Sequence, residues 1–263
     1  MTSLSADKLQ EGLSTKRFGL RVFFSREVGS TNEWARELAA FDAEEGTVAI
    51  AETQTAGRGR LGRVWVSPKG GLWFSTILRP KIKPTEAVRL VFVAGLAVAE
   101  ALLKLYRLNV ETKWPNDVLV DKRKVCGALS EMNTTDEGVN FVVLGIGVNA
   151  NFNVKKDLPD ELRDSATSLE TELGRKVDLE ELFRYLLERL EATYDSFLKD
   201  GSASVIGEWK KHAGFLGRRV EVAGETKLVG LALDVDQDGA LVLRLDDGTL
   251  KRVFVGDLSP RTK

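Results

Sequence analysis

Apolar residues along the chain change their period several times, and each change marks a new element. Residues 20–24 and 47–52 read as strands. Between them, Ser30 and Glu33 have the spacing of a capping box, and Trp34, Leu38 and Phe41 recur behind it at helical intervals. Residues 72–78 form a second nearly continuous apolar strand, entered through Gly70-Gly71. Pro84 opens a predicted long helix with Ala87, Leu90, Val91, Ala94, Val98, Ala101, Leu102 and Leu105 on one face. Strands follow at 109–113, 118–120, 124–131 and 141–148, the middle pair joined by a hairpin at Asp121-Lys122-Arg123. A polar loop over 151–164 leads to a helix capped by Asp178, with Leu182, Tyr185, Leu186, Leu190 and Tyr194 inward and Gly201 at its end. Residues 205–211 predict a last short helix.

After Gly217 the pattern becomes all-β. Short strands are predicted at 219–222, 228–235, 240–245 and 250–255, with turns at Asp238-Gly239 and Asp247-Gly248. The expected layout is a short segment at 1–18, an α+β domain with a mixed sheet and flanking helices at 19–215, and a small β-barrel at 216–263. The first segment is too short for a helix-turn-helix with a core of its own.

Composition narrows the function classes. With 43% apolar and 29% charged residues in 263, the chain has the material for a core. A net charge of −1 offers no basic field for nucleic acid. One cysteine, Cys126, excludes an internal disulfide, and one histidine, His212, argues against His-rich metal sites and His-based triads. Neither is assigned a role. The start lacks a signal-peptide pattern, and the apolar run around 90–105 carries Glu100 and Lys104, too polar for a membrane span. An intracellular, cytoplasmic protein without a membrane partner is expected.

Candidate chemistry gathers at Gly57-Arg58-Gly59-Arg60-Leu61-Gly62-Arg63, between two strands. Glycine lets a backbone approach a ligand closely, and arginine offers a planar cationic fork for phosphate or carboxylate. A mobile loop closing over an anion is the reading. The Gly-x-Gly-x-x-Gly spacing is formally that of a dinucleotide site, but strand and turn follow instead of the required helix. No Lys-Ser/Thr pair follows a glycine, which excludes a Walker A loop. Lys113-Trp114-Pro115-Asn116-Asp117 forms a second cluster, in which the proline fixes the turn that carries Lys113 and Asp117. Lys124 precedes Gly127 in a strand, and Gly145-Ile146-Gly147-Val148-Asn149 repeats the theme of glycines where a ligand can come close. By default, Trp65 and Trp73 are core aromatics.

Taken in order, Ser30-Thr31-Asn32, Gln54 through Trp65, Lys113 to Asp117, Lys124-x-x-Gly127 and Gly145-x-Gly147-x-Asn149 resemble the biotin protein ligase family. The likeness runs from about Leu20 onward and implies a class II synthetase-like catalytic domain with an SH3-like C-terminal barrel. It implies activation of biotin by ATP to biotinyl-5′-AMP, then transfer to a lysine of a biotin carboxyl carrier protein, with Mg²⁺ expected and no metal ligand named. By the same resemblance, Ser30, Thr31, Asn32 and Gln54 would hold the ureido end of biotin. Arg58, Gly59 and Arg60 would close over its carboxylate and the phosphate, and Lys124 would reach the activated carboxyl. Gly127 and Gly147 would wall the pocket, with Trp73 along the ring system or valeryl chain. Arg63, Asn116, Asn149 and Arg261 would serve the nucleotide, with Trp65 stacking on adenine. Lys113 is cast as the catalytic electrophile beside Arg58, and Asp117 as its orienting group or as an aid to the incoming lysine. A homodimer that binds no nucleic acid is implied, because a winged-helix repressor domain is missing. The loop 151–169 also lacks the tryptophan that some members place on adenine. The Gly-Arg-Gly-Arg loop weighs against a lipoate ligase or octanoyl transferase, and the near-zero charge weighs against a nucleic-acid-binding module.

Overall fold

The structure, a computed structural model, describes residues 4–224 and 226–260. Its centre is a seven-stranded mixed sheet made of β1 (Val22–Val28), β2 (Val48–Gln54), β3 (Leu72–Leu78), β4 (Val110–Lys113), β5 (Asp117–Val120), β6 (Arg123–Thr135) and β7 (Gly138–Val148). The strand order is β1-β2-β3-β7-β6-β5-β4. Only β1 and β2 run parallel, and the helix Thr31–Ala40 makes the crossover that a parallel pair needs.

Alternation along the strands sorts side chains onto two faces. Val48, Ile50, Phe74, Leu144, Ile146 and Val148 face the helices Leu90–Tyr106 and Leu179–Asp200 and join the main core. The residues between them face the other way, toward the helix Thr31–Ala40 and an open cavity. Asp178 caps the helix Leu179–Asp200 by accepting from the N–H groups of Glu180 (2.8 Å) and Glu181 (3.0 Å). Within that helix, buried Glu191 accepts three backbone N–H bonds from Lys16, Arg17 and Phe18, which ties the N-terminal segment to the core.

A second, five-stranded antiparallel sheet follows, of SH3-like type. It consists of β8 (Arg219–Ala223), β9 (Leu228–Val235), β10 (Leu241–Leu245), β11 (Leu250–Val253) and β12 (Asp257–Pro260), in the order β11-β10-β9-β8-β12. Its Asp238-Gly239 turn docks on the first domain. There Trp114 Nε1 donates to Gly239 O at 3.0 Å, and Arg89 pairs with Asp238 at 2.9 Å.

Four local expectations change. Pro84 opens only the short helix Pro84–Ala87, and the long helix begins separately at Leu90. Phe41 follows the end of its helix and is 89% exposed, so the buried face of that helix is Ala35 and Ala39 instead. The loop 151–164 contains two helical turns, Val154–Asp157 and Asp160–Arg163. The strand β12 had no sequence signal of its own. Among the described residues, no helix is long and apolar enough to cross a membrane.

Candidate active site

The cavity has a floor of glycines. Gly127, Gly145 and Gly147 lie on the same face of adjacent strands, in registers that oppose Gly127 to Gly147 and Gly145 to Ser75. A Cβ on Gly147 would come within 2.6 Å of Trp65 Nε1, and one on Gly127 within 3.0 Å of the same ring. One on Gly145 would collide with Asn32 Oδ1. The bare strands therefore let two polar or aromatic groups lie directly on the sheet, about 7 Å apart along β7. The cavity has a volume of about 490 Å³, within the range of small-ligand sites.

Around Asn32 the lining is a hydrogen-bond cluster. The Ser75 hydroxyl lies 2.6 Å from Asn32 Oδ1 and 2.8 Å from Thr31 Oγ1, and its one proton serves either. Gln54 Oε1 accepts from Thr31 N (2.8 Å), and Gln54 Nε2 donates to Ser67 Oγ (2.7 Å). Asn32 Nδ2 donates to Glu131 Oε2 at 2.7 Å. Ser30 occupies the helix N-cap position but makes no side-chain cap bond, so the expected capping box is absent. Glu33 instead pairs with Arg58 at 2.9 Å.

Over this pocket the segment from Gly57 to Trp65 folds back on itself. Gly59 N donates to Arg63 O (2.7 Å) and Trp65 N to Gly57 O (2.9 Å). Gly57 packs where a Cβ would strike Trp65 O, and Leu61 and Gly62 turn the tip through positive φ. The three arginines diverge. Arg58 lies between Glu33 and Glu131, with its Nε buried and without a hydrogen-bond partner. Arg60 donates to Asn116 Oδ1 (3.2 Å) and to Gly256 O (3.3 Å), and Arg63 pairs with Asp257.

Beyond the glycine floor, Lys124 pairs with Asp117 at 2.6 Å, and its ammonium lies 4.9 Å from the centroid of a Trp65 ring. Burial holds the Lys113 ammonium below the usual lysine range; nearby Lys124 adds to this, and Asp117 works against it. Burial likewise lowers the Arg60 guanidinium, offset by Asp257 and Asp117. Cation solvation has thus been given up around an open space, which favours an anionic visitor. Leu158, Leu162 and Ala166 form an apolar wall beside Trp65.

Ser30, Thr31, Asn32, Gln54, Arg58, Gly59, Arg60, Arg63, Trp65, Lys113, Asn116, Asp117, Lys124, Gly127, Gly147 and Asn149 all line this one cavity. Trp73 does not, which corrects its expected place along biotin. It is fully buried behind Trp65 and against Phe152, with Nε1 donating to Pro68 O at 3.0 Å. Arg261 falls outside the described residues. Asn149 also has a structural duty, since its Nδ2 donates to Thr167 O at 2.9 Å. Sequence reading missed Glu33, Ser67, Ser75, Glu131, Gly256 and Asp257. For Ser75, period-two alternation within an apolar strand was the available signal; the acidic residues offered none.

A pocket rich in hydrogen bonds that opens into a cluster of cations beneath an arginine-bearing loop is a binding site for a small anionic ligand. Residues 25–149 match the model of the biotin/lipoate A/B protein ligase family, and residues 215–259 match that of the biotin protein ligase C terminal domain. The bifunctional ligase/repressor BirA of Bacillus subtilis is 35% identical over 97% of this chain and 78% of its own length. The biotin–[acetyl-CoA-carboxylase] ligase of Paracoccus denitrificans is 35% identical over 82% of this chain and 90% of its own. Among solved structures, biotin protein ligase from Aquifex aeolicus in complex with biotin and ATP has a TM-score of 0.80 and 32% identity, covering 93% of this chain and 100% of that one. The chain belongs to the biotin protein ligase family.

Proposed function

We propose that this chain activates biotin with ATP, releasing pyrophosphate and forming biotinyl-5′-AMP, and then transfers the biotinyl group to a lysine of a biotin carboxyl carrier domain of a carboxylase. The observation that carries this reading is the single cavity in which the Thr31–Gln54–Ser75 hydrogen-bond cluster and the cations Arg58, Arg60, Lys113 and Lys124 share one glycine floor.

In the first step the biotin carboxylate attacks the α-phosphorus, and pyrophosphate leaves. Two anions must meet, and Arg58, Arg60, Arg63 and Lys113 offset their repulsion. Ser30, Thr31 and Gln54 bind the ureido group, while Asn32 supports them from below. Trp65 and the Leu158–Leu162–Ala166 wall give the base an apolar slot, with Asn116 and Asn149 at the nucleotide. Lys113 is the catalytic electrophile. In the second step the carrier amine attacks the acyl carbon and AMP departs; Asp117 takes up the amine proton, and Lys124 steadies the acyl oxygen. Mg²⁺ enters with the nucleotide as part of the substrate. Among the described residues, no group of three or more His, Cys, Asp or Glu offers a resident metal site. The same reading has the enzyme act in the cytoplasm as a homodimer, and its net charge of −1 suits a partner other than nucleic acid.

The test is incubation with biotin, Mg-ATP and a biotin carboxyl carrier domain, followed by mass spectrometry of the carrier. A biotinyl adduct on one lysine is expected, and lipoate in place of biotin should give none. An unmodified carrier overturns the proposal.

A further inference from the structure

Glu131 lies on the cavity face of β6, four residues and about 13 Å beyond Gly127. One of its carboxylate oxygens meets two separate parts of the site. It accepts from Asn32 Nδ2 at 2.7 Å, and Arg58 Nη2 is 3.5 Å away. Asn32 belongs to the helix that carries the hydrogen-bond cluster, whereas Arg58 belongs to the lid.

A carboxylate oxygen only accepts, so it decides which way the Asn32 amide faces. The nitrogen points to Glu131, and the oxygen takes the Ser75 hydroxyl at 2.6 Å above Gly145. Flipping the amide would set its oxygen against the carboxylate and its nitrogen where Ser75 donates. That leaves the Ser75 proton free to reach Thr31 only when Asn32 gives it up. Arg58 has a second anionic partner in Glu33 at 2.9 Å, so Glu131 is not needed merely to balance its charge. Glu33 ties Arg58 to the helix; what Glu131 adds is an ion-pair contact from Arg58 to the same oxygen that holds the Asn32 amide.

We infer that Glu131 is a positioning residue for biotin activation: one oxygen orients the Asn32 amide under the ureido pocket and holds Arg58 of the lid above it, so that both are set together. The inference rests on the biotin ligase reading. Glu131 is not among the residues that line the cavity, so it acts through Asn32 and Arg58.

The test measures pyrophosphate release from biotin and Mg-ATP by the full chain, with the wild type beside Glu131→Gln. Glutamine keeps the volume, offers Asn32 either end of an amide, and cannot pair ionically with Arg58. Glu131→Gln is expected to raise the KM for biotin about tenfold, a cost on the scale of one lost charge-assisted hydrogen bond. The KM for ATP and the melting temperature should stay close to wild type, and kcat should fall no more than about threefold, because Glu33 still holds Arg58. Adding Glu131→Gln to Asn32→Ala should worsen the biotin KM by much less than tenfold, because both substitutions act on the one Asn32–Glu131 contact, which glutamine leaves uncharged and free to reverse. An unchanged biotin KM in Glu131→Gln overturns the inference. So does a parallel rise of both KM values with a lowered melting temperature, which marks general damage. Should Glu131→Gln fail to fold, Glu131→Asp decides: its carboxylate is one methylene too short to span both partners, and a wild-type biotin KM there overturns the inference too. A wild-type chain that releases no pyrophosphate overturns the ligase reading and this inference with it; an active wild type beside an indifferent Glu131→Gln overturns the inference alone.

Discussion

The two faces of the seven-stranded sheet are made by the same strands yet differ in almost every physical respect. Toward the long helices the strands present Val48, Ile50, Phe74, Leu144 and Ile146, closely packed and dry, with Phe74 edge-on to Phe183 at 5.5 Å between ring centroids. Toward the cavity they present Gly127, Gly145, Gly147 and Ser75. A two-residue period lets one strand bury apolar area on one side while leaving space on the other. Stability and recognition are thereby assigned to alternate residues, so each can be perturbed while the other is watched.

Three measurements press on that division. Gly147→Val puts a branched side chain where Trp65 lies, and we expect biotinyl-AMP formation to fall more than a hundredfold. The melting temperature should change little, since the helix face is untouched; a collapse of stability with normal activity per folded molecule would break the comparison. Phe74→Ala, one residue from Trp73 but on the opposite face, should lower stability by about 3–5 kcal/mol in a denaturant titration. The folded fraction at low temperature should keep its biotin KM, and a KM rise there would show that the faces are coupled. The smallest effect concerns pH. Burial lowers the pKa of Lys113, so its positive charge is lost as pH rises at a lower pH than the ~10.4 of an exposed lysine. Asp117 and Lys124 flank it with opposing influence. The adenylation rate should therefore fall on the alkaline side below that value, and Lys113→Arg should move the fall to higher pH. A profile that is identical in the two enzymes removes Lys113 from the rate-determining charge.

Much of this organisation could be read from residue order. Glycines inside otherwise apolar strands at Gly127, Gly145 and Gly147 signalled a close approach, and alternation placed them on one face. Side chains recruited from a distance were not legible. Glu131 sits 99 residues from Asn32, and nothing in its strand neighbours Ser130 and Met132 gives it distinction. Trp73 and Trp65 look alike as loop-flanking aromatics. Only the register, with Trp73 opposite Gly147 and covered by Phe152, shows that Trp65 faces the ligand space and Trp73 supports it. Helical spacing drew Phe41 inward, but the helix ends at Ala40 and releases it to solvent. Glu33 satisfies a capping pattern in the sequence yet pairs with Arg58 across the fold, a partner 25 positions away that local spacing does not reveal.

The contact between Arg60 and Gly256 spans 196 positions of the chain, and that between Arg63 and Asp257 spans 194. On the ribosome the arginine lid is made long before the strand it leans on. At roughly 5–20 residues per second, about ten seconds or more separate the two. During that interval the nascent catalytic domain holds the lid through Arg58 with Glu33 and Glu131 and through Arg60 with Asn116. Among the described residues these two contacts close loops of nearly 200 residues, so the full set of lid contacts is completed only after the C-terminal strand has been made.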